Sequence, residues 1–136
     1  MLELKDLNVY YGAIHALKGL NLNINPGEIV SLIGANGAGK STTLRTISGL
    51  EKSKSGYILL DGMKINSVPA PDIVKLGLSH VPEGRRIFPQ MSIMENLEMG
   101  AYTRKDKEGI NKDYNKVFEL FPILEERKQQ LAGTLS

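Results

Sequence analysis

The sequence predicts an α/β fold, with a mixed sheet first and helices after it, and three features predict it. In Leu2–Val9, with a phase shift at Asp6, and again in Leu20–Asn25, apolar and polar residues alternate at the strand period. Glu28–Ile33 is nearly all apolar after its first residue and runs directly into a glycine-rich loop and a helix-forming stretch. From Ser92 onward the apolar spacing lengthens from two residues to about 3.6.

Each element follows from its residues. Leu2 and Leu4 alternate with Glu3 and Lys5, the phase shifts at Asp6, and Leu7 and Val9 continue in the new phase. Leu20, Leu22 and Ile24 stand against Asn21, Asn23 and Asn25 in a second strand. Both are predicted to be antiparallel and half exposed. Pro26-Gly27 suits the central positions of a type II turn. Glu28–Ile33 predicts a strand buried on both faces, as in a parallel sheet. Ser41–Ser48 predicts a helix stopped by Gly49. Tyr57–Leu60 and Met63–Ile65 predict a hairpin on the Asp61-Gly62 turn. Asp72–Leu76 predicts a short helix ended by Gly77, and Leu78–Val81 a second short buried strand closed by Pro82. Ser92 and Glu95 form a capping-box pair, and Ile93 and Leu97 share a helix face. Residues 103–109 form a charged connector. Ile110, Tyr114, Val117, Phe118 and Phe121 then form one helical stripe, which Pro122 ends or bends.

Composition narrows the function. The chain has 136 residues, one domain's worth or part of a larger one, with 41% hydrophobic and 24% charged residues, as in ordinary globular proteins. Lys+Arg 17 against Asp+Glu 15 leaves +2, too little to argue for nucleic acid or a membrane surface as partner. With no cysteine, a disulfide framework, a thiolate zinc site and a thiol nucleophile are excluded. Met1–Asp6 lacks the basic and apolar parts of a signal peptide, and no run is apolar enough to span a membrane. The chain is therefore expected to be neither exported through a visible signal nor integral to a membrane.

Gly34-Ala35-Asn36-Gly37-Ala38-Gly39-Lys40-Ser41 fits the phosphate-loop pattern G-x-x-x-x-G-K-[ST]. Its residue types suit that chemistry. Glycines let consecutive backbone N–H groups turn toward an anion, and the helix starting near Lys40 adds its positive end. Lys40 brings a full charge to the β- and γ-phosphates, and the Ser41 hydroxyl can ligate Mg²⁺. The pattern predicts a P-loop nucleotide-binding core. A guanine-reading Asn-Lys-x-Asp is missing, since Asn111-Lys112-Asp113 lacks the spacer, and nothing marks the lid of a small-molecule kinase.

Asn36–Thr42 resembles the Walker A loop of ABC ATPases. So does its setting: Tyr11-Gly12, Pro26-Gly27-Glu28, Ser55-Gly56 and Asp61-Gly62. The run Val81-Pro82-Glu83-Gly84-Arg85-Arg86-Ile87-Phe88, followed by Met91–Leu97, resembles the ATP-binding subunits of bacterial branched-chain amino acid importers. The resemblance covers the whole chain. It implies a RecA-like P-loop core with an N-terminal antiparallel β subdomain in residues 1–90, and the beginning of a helical subdomain in 91–136. It also implies ATP and Mg²⁺ as ligands, bound by Gly34, Ala35, Asn36, Gly37, Ala38, Gly39, Lys40, Ser41 and Thr42. Tyr11 matches the aromatic that stacks on adenine. Glu83 stands where most of the family carries a glutamine that reaches Mg²⁺, so Ser41 and Glu83 are the expected metal-side residues. Arg85, Arg86, Phe88, Met91 and Met94 are implied to meet the coupling helices of integral membrane permease subunits. His15 and His80 match no catalytic position.

The resemblance further implies a second ATP-binding subunit, most simply a heterodimer, a substrate-binding protein engaged indirectly, no nucleic acid, and a cytoplasmic place on the inner face of the membrane. Leu135-Ser136 would open the Leu-Ser-Gly-Gly signature. The Walker B Asp, the general-base Glu and the downstream His are absent from these residues. The expectation is the N-terminal portion of a longer ATPase, inactive by itself. Two alternatives stay open: a nucleotide-binding module without turnover, and a soluble ABC protein not coupled to transport.

Overall fold

The structure, a computed structural model, describes residues 1–84 and 86–135. The chain forms two compact units, Met1–Val81 and Pro82–Ser136.

In the first unit, β1 (Leu2–Tyr11), β2 (Ile14–Ile24), β3 (Ser55–Leu60) and β4 (Met63–Lys64) form one antiparallel sheet in the order β2-β1-β3-β4. The phase shift at Asp6 is a β-bulge. Pairing steps from Leu4↔Leu22 to Leu7↔Leu20, one extra residue on β1, and Asp6 takes φ +48°. The bulge returns the buried side of the strand to one face, so Leu4, Leu7 and Val9 all enter the core. β2 begins at Ile14, earlier than its alternation predicts. It carries two extra residues of its own, one between Leu20 and Leu17 and one, Ala16, between Leu17 and His15, and these break the period of two. The Pro26-Gly27 turn is closed by Glu28 N–H donating to Asn25 O at 3.1 Å. The Asp61-Gly62 hairpin forms as predicted, with φ +47° and +80°.

Two helices cover one face of the sheet. α1 (Lys40–Ile47) and α2 (Ala70–Lys75) contribute Ile47 and Ile73 to a core with Leu17, Ile58 and Ile65. Buried Thr43 and Thr46 satisfy their hydroxyls on the carbonyls of Gly39 (2.9 Å) and Thr42 (2.7 Å).

Two expected strands are absent. Residues 28–33 and 78–81 form no ladder among the described residues. A strand needs a neighbour to bond to, and neither run has a ladder partner among the described residues. Val30 and Leu32 still turn inward, lining with Leu22, Leu44 and Leu78 an apolar cleft of about 300 Å³. Ile29 and Ile33, on either side of them, are 98% and 95% exposed, and Val81 is 90% exposed. Of residues 28–33 only Leu32 is half-buried, and Val30 is 41% exposed.

The second unit contains α3 (Ile93–Gly100), α4 (Lys107–Leu120), α5 (Pro122–Glu126) and a 3-10 turn at Ala132–Thr134. The capping box forms fully: Glu95 N–H donates to Ser92 Oγ (3.2 Å) and Ser92 N–H to Glu95 Oε2 (2.7 Å). The chain after α5 folds back on the start of α3. Ile93 N–H donates to Gln130 O (3.0 Å), Met94 N–H to Lys128 O (2.9 Å) and Ala132 N–H to Met91 O (2.9 Å). α4 starts at Lys107, so the charged connector is shorter than predicted. Arg104 bridges Asp106 and Asp113 across it. Ile110, Tyr114, Val117 and Phe118 form the half-buried stripe of α4, whereas Phe121, beside Pro122, is 56% exposed.

Candidate functional site

The loop Gly34–Gly39 leads into α1 and leans on β2. Gly39 has φ +88°, and a Cβ there would stand 2.6 Å from Leu17 Cδ2 and 3.2 Å from Ala16 O, so no other residue fits without displacement. The bulge at Ala16 thus forms the floor of the loop. Ala38 N–H donates to Ala35 O at 3.1 Å and closes the turn. Among the described residues, the N–H groups of Asn36, Gly37, Gly39, Lys40 and Ser41 donate to no protein acceptor. Lys40 lies back across the loop, its Nζ donating to Gly34 O (2.7 Å) and Ala35 O (2.8 Å).

This set of groups is all donors: a row of amides, the first turn of a helix and an ammonium. It suits a polyanion such as a chain of phosphates. No acidic side chain of the first unit hydrogen-bonds to the loop. The Ser41 hydroxyl is exposed, and no cluster of three or more acidic or histidine side chains among the described residues could hold a metal alone. A divalent cation here would fit as a companion of the phosphates, and the Ser41 hydroxyl is the loop group that could ligate it. Thr42 follows in the first turn of α1, half-buried.

Tyr11 ends β1, opposite Ile14, and is 40% exposed. It shares a strand face with Val9, which pairs with Leu17, the residue against Gly39. One β-hairpin therefore carries both the floor of the phosphate loop and Tyr11, about 7 Å further along β1. Tyr10 points to the opposite face and stacks on His15, ring centroids 4.0 Å apart and 9° from parallel.

The other singled-out residues lie in the second unit. Glu83 is exposed, and its carbonyl accepts from Arg86 Nε at 3.3 Å. Arg85 lies outside the described residues. Phe88 is 51% exposed, while Met91 and Met94 are half-buried. Asn96 holds this stretch, a role its place in the sequence does not announce. Its Oδ1 accepts from Phe88 N–H (2.8 Å), and its Nδ2 donates to Phe88 O (3.0 Å) and Ser92 O (2.9 Å). The only sequence signal is an amide side chain one helical turn after an N-cap serine.

Known proteins resemble this chain over its whole length. The family model described as ABC transporter matches residues 17–136. The high-affinity branched-chain amino acid transport ATP-binding protein BraG of Pseudomonas aeruginosa is 44% identical over all of this chain and 58% of its own length. The probable branched-chain amino acid transport ATP-binding protein LivF of Archaeoglobus fulgidus is 36% identical over all of this chain and 57% of its own. The sn-glycerol-3-phosphate import ATP-binding protein UgpC 1 of Rhizobium etli is also 36% identical, over 97% of this chain and 38% of its own. A solved ATP-binding subunit of an ABC transporter superposes with a TM-score of 0.86 at 30% identity, over all of this chain and 56% of that one. A dimeric post-hydrolysis ATP-binding cassette bound to ADP and Pi gives 0.82 at 28%, over all of this chain and 63% of that one. The chain spans little more than half the length of the first two relatives. With the cassette fold shared along its full length and a family match from residue 17 onward, the chain belongs to the ABC transporter family.

Proposed function

We propose that the protein is the ATP-binding subunit of an importer of branched-chain amino acids, and that in full length it hydrolyses Mg·ATP to drive uptake. The observation that carries nucleotide binding is the loop itself: a row of backbone amides with no protein acceptor, closed by Lys40. Lys40 gives up the Gly34 and Ala35 carbonyls for phosphate oxygens. The amides of Asn36, Gly37, Gly39, Lys40 and Ser41 hold the β- and γ-phosphates, with Thr42 continuing the first turn, and Tyr11 stacks on the base. Mg²⁺, when bound, neutralises charge on the β- and γ-phosphates. Ser41 and Glu83 are the residues that would hold it, Glu83 directly or through water. Residues 1–136 are assigned to binding rather than turnover.

The cargo reading rests on BraG. At 36% identity, relatives named for branched-chain amino acids and for glycerol phosphate match equally, and the 44% match favours the amino acids. The partners proposed are a second ATP-binding subunit, permease subunits meeting Arg85, Arg86, Phe88, Met91 and Met94, and indirectly a substrate-binding protein. No helix among the described residues is long and apolar enough to cross a membrane, which suits peripheral attachment at the inner face.

Lys40→Ala is expected to weaken ATP tenfold or more, about the worth of a charge-assisted contact. Unchanged affinity in an ATP titration overturns the phosphate-loop assignment. Deleting the gene is expected to abolish uptake of labelled leucine, isoleucine or valine, and normal uptake of all three overturns the cargo reading.

A further inference from the structure

We infer that His15 is a positioning residue for base recognition, acting through Tyr10 on the hairpin end that carries Tyr11. The inference rests on the reading of Tyr11 as the base platform. The end of that hairpin lacks support from the core. Its last pair, Tyr11 and Ile14, is 40% and 69% exposed, and a Cβ at Gly12 in the turn between them would meet no atom within 4 Å. The next pair inward is Tyr10 and His15, and its side chains form the outermost organised contact of the two strands.

That contact is fixed from several sides. Asn8 Oδ1 accepts from Gly19 N–H (3.0 Å), and Asn8 Nδ2 donates to Asp6 O (2.8 Å), so the orientation of the amide is set. His15 Nε2, 2.9 Å from the same Oδ1, is therefore the donor. Its ring lies flat on one face of Tyr10, and the Lys54 ammonium sits 4.7 Å from the ring centroid, over the face left open. The order across the sheet is His15 on β2, Tyr10 on β1 and Lys54 just before β3, matching β2-β1-β3. Lys54 is tethered by its own N–H to Asn8 O at 2.8 Å. His15 also adjoins the Ala16 bulge beneath Gly39. The stack holds the register of the last two pairs, and with it the side on which Tyr11 emerges.

The phosphate loop has its own support in Leu17 and α1, so loss of the stack is felt at the base and not at the phosphates. In the intact native protein, His15→Ala is expected to weaken ATP about three- to tenfold, with affinity for inorganic triphosphate unchanged. His15→Phe, which keeps a flat ring on Tyr10, is expected to restore most of the loss. Unchanged ATP affinity in His15→Ala, equal loss for both ligands, or failure of His15→Phe to restore binding overturns the proposal. Tyr11→Ala, titrated in parallel, tests the underlying reading separately. It is expected to weaken ATP and spare triphosphate, and if it spares both, the base-platform reading fails on its own evidence, whatever His15 does.

Discussion

At Gly56 an added Cβ would stand 2.3 Å from the Asp6 carbonyl oxygen and 2.6 Å from that of Lys5, at φ +82°. Both obstacles are backbone, and neither can rotate away. Gly56→Ala is expected to cost about 2–3 kcal/mol, read as a lower urea midpoint. The lysine of the phosphate loop and the two neighbouring tyrosines are residues of another kind: what matters is where each points. The motif Gly34–Ser41 was legible because phosphate chemistry demands those residue types at that spacing. The stack of Tyr10 on His15 was not legible. It depends on which residues face each other, and that is decided by two bulges on β2 whose positions no alternation reveals.

Among the elements, α3 shows how a local signature becomes a fold. Ser92 and Glu95 announce its start in the sequence, and both bonds of the box are made. The N–H and hydroxyl of Ser92 hold the Glu95 carboxyl below the usual glutamate range. A lowered folded-state pKa means a contribution present above the unfolded value and lost as pH falls through the folded one. The box is therefore expected to open on acidification, below about pH 4. Stability measured against pH should fall in the wild type over that range, and Glu95→Gln should flatten this part of the profile. The hairpin on Asp61-Gly62 was equally legible, since its two turn residues fix the turn type. Residues 28–33 and 78–81 were not. Apolar runs reveal that a segment is suited to cover on both sides, but the partner that would bond to it is not written in the segment. Leu32 finds partial cover and Val30 less, whereas Ile29 and Ile33 find none.

On the scale of the whole molecule, the first unit joins a phosphate loop to the β-hairpin behind it, and the second ties Phe88 to α3 through Asn96. The bulge at Asp6 has a consequence for how this chain tolerates gain and loss of residues. It absorbs one residue, so Leu7, Val9 and Tyr11 stay on the side of Leu4 despite the odd count between them. Deleting Asp6 keeps that parity. Such a variant is expected to lose stability, with its bonds to Asn21 and Asn8 gone, yet still bind ATP in a nucleotide titration. Deleting Asn8 reverses the parity beyond it: Val9 turns out to water, Tyr10 turns toward the loop, and ATP affinity is expected to collapse. Two adjacent tyrosines thus face opposite sides of the sheet only by the arithmetic of the strand before them, and a frame of one residue decides which of them shares a side with Val9.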